Sequence, residues 1–439
     1  MTAKQIVNRD FDNLVKTLQD VIAFDTTKDK AEENAPFGKN NALCLEYVLN
    51  IAKEMGFETY NCDGYAGHVD FKGTGDEVVG VLGHLDVVPA SVNDGWKFPP
   101  FEGTICDGEL YGRGTLDDKG PMISCLYALK ALKDSGFVPT RTIRLIFGCD
   151  EESGMQCMDH YFKKMPFPTI SFSPDGDFPV INIEKGIYQF MLDLGEVPEK
   201  VLDIKAGTRT NVVPSLCIAT LSPDTDMKDV EHTTADGNFV IGATGKNAHG
   251  STPQEGKNAS WEVFAMLKKL FPDHDAFTFV ADKMCDYTGR SWGIDLKDEE
   301  SGVLTCNIGT VNVIDRHLVL GIDIRFPASY TCDQMLNLLK QHTPYTITPD
   351  HIAEPLFVSK DSFLVTTLLD IYNKATGENA LPLAIGGGTY SRCLPNCVAF
   401  GPVFPDEEQT IHMPNERVSL DKLLTMTHLY LEALERLSK

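Results

Sequence analysis

The chain has 439 residues, of which 42% are hydrophobic and 23% are charged, which is typical of globular proteins. This length predicts two or three domains. The formal net charge of −24, without a cluster of Lys and Arg, argues against a nucleic-acid-binding protein. No apolar run approaches the ~20 residues of a membrane-spanning helix, so a membrane protein is also excluded.

The N-terminal segment predicts an amphipathic helix and not a signal peptide: MTAKQIVNRDFDNLVKTLQD. The chain has 12 cysteines and no CxxC pair. We therefore expect reduced, mostly buried thiols and a cytoplasmic protein.

The first part of the chain alternates strands and helices. Helices are predicted at 40–55 and 120–135 and over MDHYFKKM, with a strand near 57–62. Further strands are predicted over HVDFKG, VVGVLGHLD, TRTIRLIFGCDEESG and TISFSPDGDFP. This alternation predicts an α/β fold with a largely parallel sheet.

The pattern changes after about residue 180. Alternating strands are predicted over GIYQFMLDL, SLCIATLS, NFVIGATGK, GVLTCNIGTVNV and HLVLGIDIRF, with helices near 258–271 and 331–341. These features indicate an α+β module with antiparallel strands. The α/β pattern resumes near residue 376, so we predict that a module at 181–376 is inserted between 1–180 and 377–439.

Polar side chains follow the predicted strands, where open α/β sheets bind their ligands. The segment VVGVLGHLDVVPA ends a buried aliphatic run with His84 and Asp86. The other candidates are Asp117 and Asp118 in GRGTLDDKG; Asp150, Glu151 and Glu152 in FGCDEESG; Asp175 and Asp177 in SFSPDGD; and His412 and Glu416 in QTIHMPNE.

Several carboxylates at one sheet edge would repel one another unless a cation is bound. Two histidines with several carboxylates suit Zn²⁺, or Mn²⁺ in an oxygen-rich site. Each motif alone also has a structural interpretation: His84 could cap a strand, Glu151 and Glu152 could form a solvated turn, and Asp117 and Asp118 could cap a helix. No G-x-S-x-G motif is present, which argues against a serine hydrolase.

Taken in order, these motifs resemble the aminoacylase/carnosinase clan of co-catalytic metallopeptidases. The resemblance extends from about Phe71 to Glu416. The segments GRGTLDDKGP, GCDEESG, SPDGDFP and GGGTYSR look most like those of the bacterial PepV-type dipeptidases. The resemblance implies a zinc-peptidase-like catalytic domain with a mainly parallel central sheet, and an inserted α+β lid domain built of ferredoxin-like units.

The resemblance also implies the roles of the site residues. His84 and Asp175 would hold one metal ion, Glu152 and His412 a second, and Asp117 would bridge the two. Asp86 would accept the proton of the second ring nitrogen of His84, and Glu151 would be the general base. In relatives the peptide bond after the bridging aspartate is cis, so a cis bond is expected at Asp117–Asp118.

The inserted module carries further expected site residues. In GKNAHGSTP, the resemblance implies that His249 stabilises the oxyanion. Asn211 in TRTNVVP and Arg325 in GIDIRFP resemble residues that bind the substrate and its carboxylate. IGGGTYSR adds Gly387, Gly388, Thr389 and Arg392 as substrate-binding candidates.

An insert of this length is roughly twice a minimal lid of two helices on four strands. The resemblance to the PepV-type enzymes implies that such a lid supplies His249 from the same chain, which favours a monomer. The predicted function is hydrolysis of dipeptides with two divalent ions, Zn²⁺ first and Mn²⁺ second. The alternatives are an N-acyl amino acid deacylase or a tripeptide aminopeptidase of the same clan, and a non-catalytic metal- or peptide-binding protein.

Overall fold

The computed structural model describes residues 1–439, which form two compact units. The first unit contains residues 1–182, 358–383 and 389–439, and the second contains residues 183–357 and 384–388. None of the helices is long and apolar enough to span a membrane.

The elements are numbered in chain order. Up to residue 184 they are α1 Ala3–Ile22, α2 Lys39–Glu54, β1 Glu58–Cys62, β2 Ala66–Phe71, β3 Val78–His84, β4 Thr104–Cys106, β5 Glu109–Tyr111, α3 Lys119–Asp134, β6 Thr142–Gly148, α4 Gln156–Tyr161, β7 Ile170–Ser173, β8 Gly176–Asp177 and β9 Ile181–Glu184.

The next elements are β10 Gly186–Glu196, β11 Val201–Ala206, β12 Leu216–Leu221, β13 Thr233–Ala235, β14 Asn238–Thr244, α5 Ser260–Leu270, α6 Asp275–Lys283, β15 Lys297–Asp298, β16 Gly302–Val303, β17 Thr305–Ile314, β18 His317–Phe326, α7 Cys332–His342, β19 Thr346–Ala353 and β20 Leu356–Phe357. The last are α8 Phe363–Thr376, β21 Leu383–Ile385, β22 Cys397–Ala399, β23 Pro402–Val403, β24 Arg417–Ser419 and α9 Leu420–Leu437.

The first unit is built on a sheet with the strand order β1-β2-β6-β3-β7-β22, followed by β9. The four central strands β6, β3, β7 and β22 are parallel, whereas β1, β2 and β9 pair in the antiparallel sense. The predicted α/β fold with a mainly parallel central sheet is therefore confirmed. β3 is buried along nearly its whole length, which explains its continuous aliphatic sequence.

α3 is the central helix of the first unit. It is buried on nearly every face and packs against α1, α9 and β3. Its sequence, KGPMISCLYALKALKD, is apolar around most of the helix, as expected for a helix covered on all sides. The N-terminus of α3 is therefore fixed close to the end of β3.

The second unit contains an eight-stranded sheet in the order β13-β14-β12-β11-β17-β18-β10-β19. Every pairing in it is antiparallel. α5 packs against β12 and β14, and α7 packs against β10. β12 alternates exposed and buried residues, which matches the predicted half-buried strand. The strands β11 and β19 and the helix α6 are additions to the predicted elements.

Two predicted assignments differ from the structure, and one is the segment 384–388, which lies in the second unit and not with 377–439 in the first. The sequence pattern places residues 358–376 in the inserted module, whereas the structure places them in the first unit. α8 buries Leu364, Leu368 and Ile371 and packs against α9. An apolar helix face shows that a partner exists but does not identify it, so the periodicity of α8 could not assign it to a unit.

Candidate active site

Three neighbouring parallel strands end at one edge of the sheet in the first unit. β3 ends at His84, which is paired in register with Gly148 at the end of β6. β7 lies on the other side of β3 and is followed by Asp175. The acidic turn, residues 150–155, follows β6. Because the strands are parallel, all these side chains are collected at the carboxyl edge of the sheet.

Asp117 lies between two imidazoles. It is on the loop before α3, and its Oδ1 is 2.9 Å from Nε2 of His84. Its Oδ2 is 2.9 Å from Nε2 of His412, on the loop between β23 and β24. The same His412 nitrogen is 3.0 Å from Oε1 of Glu152. One carboxylate therefore connects side chains from three separate parts of the chain.

These residues form two groups that could each hold a metal ion. His84, Asp117 and Asp175 form the first group, and Asp117, Glu152 and His412 form the second; within each group the potential ligand atoms lie within 4.8 Å of one another. Glu151 is in the same neighbourhood, because it forms a further such group with His84 and Glu152. The two groups share Asp117.

The carboxylates of the cluster strongly affect one another. Burial and the charge of Asp117 raise the pKa of Asp175 to about 7. Burial and the charge of Asp175 raise the pKa of Glu151 well above its usual range. Hydrogen bonds with Asp117 and Glu152 raise the pKa of His412 to about 10. Closely packed carboxylates therefore retain protons here that bound cations would displace.

The chemistry of the donors fits divalent metal ions. Each group offers imidazole nitrogen and carboxylate oxygen, the ligands that Zn²⁺ and Mn²⁺ accept, and no thiol. Asp117 belongs to both groups, and each of its carboxylate oxygens faces a different imidazole.

Comparison with known proteins identifies the family. The sequence profile described as "Peptidase family M20/M25/M40" matches residues 80–436. The chain belongs to this family. It is a metallopeptidase, and the predicted relationship to the co-catalytic metallopeptidases is confirmed.

Curated relatives cover the whole chain. The protein named "Putative dipeptidase YtjP" from Bacillus subtilis (strain 168) is 35% identical over 99% of this chain and 99% of its own. The protein named "Putative dipeptidase SAUSA300_1697" from Staphylococcus aureus (strain USA300) is 34% identical over 98% of each chain.

Solved structures share the fold. Human carnosine dipeptidase 1 has a TM-score of 0.59 and 14% identity, covering 99% of this chain and 98% of its own. The dipeptidase Dug1p from Saccharomyces cerevisiae has a TM-score of 0.61 and 14% identity over the same shares. This M20 peptidase therefore shares its architecture with these two proteins, although the sequence identity is only 14%.

Asp86 connects His84 to the acidic turn. Its two carboxylate oxygens accept hydrogen bonds from the backbone amides of Glu151 and Glu152, each at 3.1 Å. The closest partner of His84 Nδ1 is the backbone carbonyl of Asp86, at 2.9 Å, whereas the nearest carboxylate oxygen is 3.5 Å away. Asp86 therefore orients the imidazole mainly through its backbone, and its side chain holds the turn.

Glu416 holds the loop that carries Asp117. Its Oε1 accepts hydrogen bonds from the backbone amides of Gly114, Leu116 and Asp117 at 3.0, 3.0 and 3.3 Å. Its Oε2 accepts one from Nη1 of Arg113 at 2.6 Å. Glu416 is completely buried. Sequence reasoning placed Glu416 among the polar candidates but missed this role and missed Arg113, since the partners are far apart in the chain.

The other acidic candidates have separate places. Asp150 is buried and accepts hydrogen bonds from Lys28, Ser153 and the amide of Gln156, so it shapes the acidic turn. Asp118 accepts one from the His84 amide at 3.1 Å. Asp177 belongs to none of the groups that could hold a metal ion.

Two backbone features occur beside these residues. The Asp117–Asp118 peptide bond is cis, as the family resemblance predicts. Gly83 precedes His84, and a Cβ atom there would lie 2.1 Å from Oδ2 of Asp118. Glycine is therefore required at this position by the close approach of the α3 N-terminus.

Tyr390 is a site neighbour that the sequence analysis missed. Its amide donates to Oδ2 of Asp175 at 3.3 Å, and its ring packs edge-on against His84 with centroids 5.9 Å apart. It is completely buried. Tyr390 lies within the motif GGGTYSR, but the sequence analysis assigned substrate binding only to its neighbours Gly387, Gly388, Thr389 and Arg392.

In the second unit, His249 lies on an exposed turn. Its backbone bridges to Val212, and Gly250 donates to the carbonyl of Asn211 at 2.8 Å. The amide of Ser251 donates to Nδ1 of His249 at 3.2 Å, and Oγ of Ser251 is 2.7 Å from the same nitrogen. Because Nδ1 accepts a hydrogen bond, the neutral ring carries its proton on Nε2. Burial and the charge of Arg325 lower the pKa of His249, which favours this neutral form.

Arg325 is buried and already paired within the second unit. Nε and Nη2 donate to the two carboxylate oxygens of Asp323 at 2.8 and 3.1 Å, and Nη1 donates to the carbonyl of Gly386 at 3.0 Å. Sequence reasoning missed Asp323, although it is two residues from Arg325 on β18. Gly387 and Gly388 lie in the short 384–388 segment of the second unit, and Thr389 and Arg392 lie in the first unit.

Proposed function

We propose that this M20 peptidase is a dipeptidase that hydrolyses its substrate with two divalent metal ions and with Glu151 as general base. The observation that carries the proposal is the shared position of Asp117 in two groups of potential ligands, with Glu151 beside both. The names of the full-length relatives support peptides of two residues as the substrate class.

His84, Asp117 and Asp175 would hold one ion, and Asp117, Glu152 and His412 the other. Zn²⁺ is the first choice and Mn²⁺ the second, given the imidazole and carboxylate donors. Bound there, the two ions supply Lewis acidity and lower the pKa of a water molecule toward ~7.

Glu151 would move the proton. Its buried carboxyl has a raised pKa, which suits a group that takes a proton from water and later gives it to the leaving amine. Glu152 is the adjacent residue but lies 3.0 Å from His412, so the two glutamates have different partners. Asp86 would keep both in place through their amides.

Residues outside the metal groups would bind the substrate. His249 would donate its Nε2 proton to the developing oxyanion, and Arg325 would attract the substrate carboxylate, with Asp323 fixing the guanidinium. Asn211, Gly387, Gly388, Thr389 and Arg392 complete the proposed substrate-binding set. We also propose that the insert, residues 183–357, acts as a lid on its own chain, so that the enzyme works as a monomer, and that its 12 free cysteines reflect a cytoplasmic location.

A substrate panel tests the proposal. The purified enzyme, supplied with Zn²⁺ or Mn²⁺, is assayed with dipeptides, tripeptides and N-acetyl amino acids, with the Glu151→Gln variant as control. We expect the highest kcat/KM for dipeptides. A preference for N-acetyl amino acids would identify a deacylase, a preference for tripeptides would identify a tripeptidase, and metal binding without turnover would identify a binding protein.

A further inference from the structure

The tripeptide Cys-Asp-Gly occurs twice, each time in a tight turn between antiparallel strands. Cys62, Asp63 and Gly64 connect β1 to β2, and Cys106, Asp107 and Gly108 connect β4 to β5. Asp63 and Asp107 have φ angles of 53° and 54°, and both glycines also have positive φ. The two turns share this sequence and the positive φ angles but differ in length, since Cys62 pairs with Ala66 and Cys106 pairs with Glu109. The groups that face the two turns also differ.

An imidazole faces only the first turn. Nε2 of His160, on α4, is 2.7 Å from Oδ2 of Asp63. The ring of His160 stacks on Tyr65, with centroids 4.0 Å apart and an interplanar angle of 14°, which keeps the imidazole directed at the turn. At the second turn the Cys106 thiol donates to Asp107 instead, at 3.3 Å.

We propose that Cys62, Asp63 and His160 form a further metal site that binds Zn²⁺ and is separate from the dinuclear centre. One potential ligand atom from each residue lies within 4.8 Å of the other two. Thiolate, imidazole and carboxylate are the three side-chain ligands that Zn²⁺ uses, and three of them with one water complete a tetrahedral site.

Two of the three ligands are accessible from solvent whereas Cys62 is buried, and binding requires two local changes. The side chain of Asp63 is 51% exposed and that of His160 is 29% exposed, which provides an entry path. Lys164 now pairs with Asp63, and the metal displaces this ammonium group. The Cys62 thiol must also lose its proton, because the thiolate is the form that binds a metal ion.

The location gives the site a structural consequence. α4 begins directly after the acidic turn that carries Glu151 and Glu152, and His160 is on this helix. A metal held by Cys62 and His160 joins the β1–β2 turn to α4. It therefore links the side of the sheet carrying β1 and β2 to the helix that follows the acidic turn.

Cadmium titration of the metal-loaded enzyme tests the site. Because the proposed dinuclear centre contains no cysteine, a thiolate-to-Cd²⁺ charge-transfer band in the ultraviolet reports on a thiol site and not on that centre, and the Cys62→Ser variant assigns the band among the 12 cysteines. We expect a band that saturates at one Cd²⁺ per chain, is lost in Cys62→Ser and is retained in Cys106→Ser, the matched control turn. Zn²⁺ added afterwards should compete the band away.

The remaining ligands are tested by affinity. His160→Gln and Asp63→Asn should each weaken Cd²⁺ binding by ~10-fold or more, and Lys164→Met should strengthen it. Absence of the band in the wild-type enzyme, or its persistence in Cys62→Ser, overturns the proposal. Unchanged affinity in both His160→Gln and Asp63→Asn also overturns it, since binding would then involve a thiol alone.

Discussion

The candidate metal residues of the first unit and the His249 turn of the second unit are held in different ways. The carboxylate of Asp86 accepts a hydrogen bond from the amide of Glu152, and the backbone carbonyl of Asp86 lies 2.9 Å from Nδ1 of His84. Glu416 accepts a hydrogen bond from the amide of Asp117. His249 is exposed and is held at Nδ1 by Ser251. Residues proposed to share a pair of ions need fixed distances, whereas a histidine proposed to donate to the substrate needs Nε2 free of other hydrogen bonds.

The largest effect should come from Glu151. Glu151→Gln should keep both metal ions and lower kcat by about 10²–10⁴-fold, because an amide cannot transfer the proton. Its neighbour supplies the matched control: Glu152→Gln should lower metal content, measured by elemental analysis. Near-normal turnover in Glu151→Gln would show that another residue is the base.

Removing His249 should be the next most severe change. His249→Ala should lower kcat by about 10²–10³-fold, the usual loss for one oxyanion donor, with metal content unchanged. His317→Ala, at a half-buried histidine of the same unit that pairs with Asp193, serves as the control. Steady-state kinetics and elemental analysis measure both properties.

A mixing experiment tests whether His249 acts on its own chain. His249→Ala protein mixed with Glu151→Gln protein should stay inactive if each chain completes its own site. Recovery of activity would mean that the histidine comes from another chain, and it would exclude the proposed monomer.

Glu416 should affect the metal ions more than the chemistry. Glu416→Gln should weaken metal binding by about 10–100-fold, since the amides of the Asp117 loop would then donate to a neutral carbonyl, a weaker acceptor than a carboxylate. The Tm should also fall, because Arg113 is left buried without a counter-charge. The exposed Glu408→Gln is the control for both measurements.

A double variant separates stability from positioning at Glu416. Arg113→Met with Glu416→Gln removes both buried charges, so the Tm should recover while metal binding stays weak. If metal affinity recovered together with the Tm, Glu416 would stabilise the fold without positioning Asp117.

Ser251 should give the smallest change. Ser251→Ala removes one hydrogen bond to His249 but keeps the backbone donor, so kcat should fall by roughly 2–10-fold, equivalent to ~0.5–1.5 kcal/mol. Ser251→Thr keeps the hydroxyl and should retain the wild-type rate. Nitrogen-15 NMR should show the Nε2–H tautomer in all three proteins, and the Nδ1–H form in any of them would contradict the assigned hydrogen bond.

The sequence predicted features that depend on neighbours in the chain. The aliphatic run before His84 predicted a buried strand, and the turn after β6 predicted the place of Glu151 and Glu152. These elements end in polar residues, and parallel strands bring such ends together, so the position of the cluster followed from the fold class. The roles of Asp117 and His412 came from the family resemblance and stay predictions.

Long-range contacts could not be read from local patterns. Glu416 meets amides about 300 residues earlier in the chain, and nothing near it in the sequence identifies Gly114 or Leu116 as its partners. The same limit explains Asp86: its carboxylate lies 3.5 Å from Nδ1 of His84, but its hydrogen bonds with the amides of the acidic turn could not be predicted. α8 was assigned to the inserted module for a related reason: an apolar helix face does not show which element packs against it, and here that element is α9.

The position of β22 has a consequence for synthesis on the ribosome. This strand pairs with β7 and β9 in the sheet of the first unit, yet it begins at Cys397, after the whole 183–357 segment. The second unit can therefore fold while the first still exposes the unpaired edge of β7, which is open to wrong pairing. A chain released before residue 397 would lack this strand, His412 and Glu416 together. Only a nearly finished polypeptide can assemble the centre, so prematurely terminated chains should be inactive and prone to aggregate.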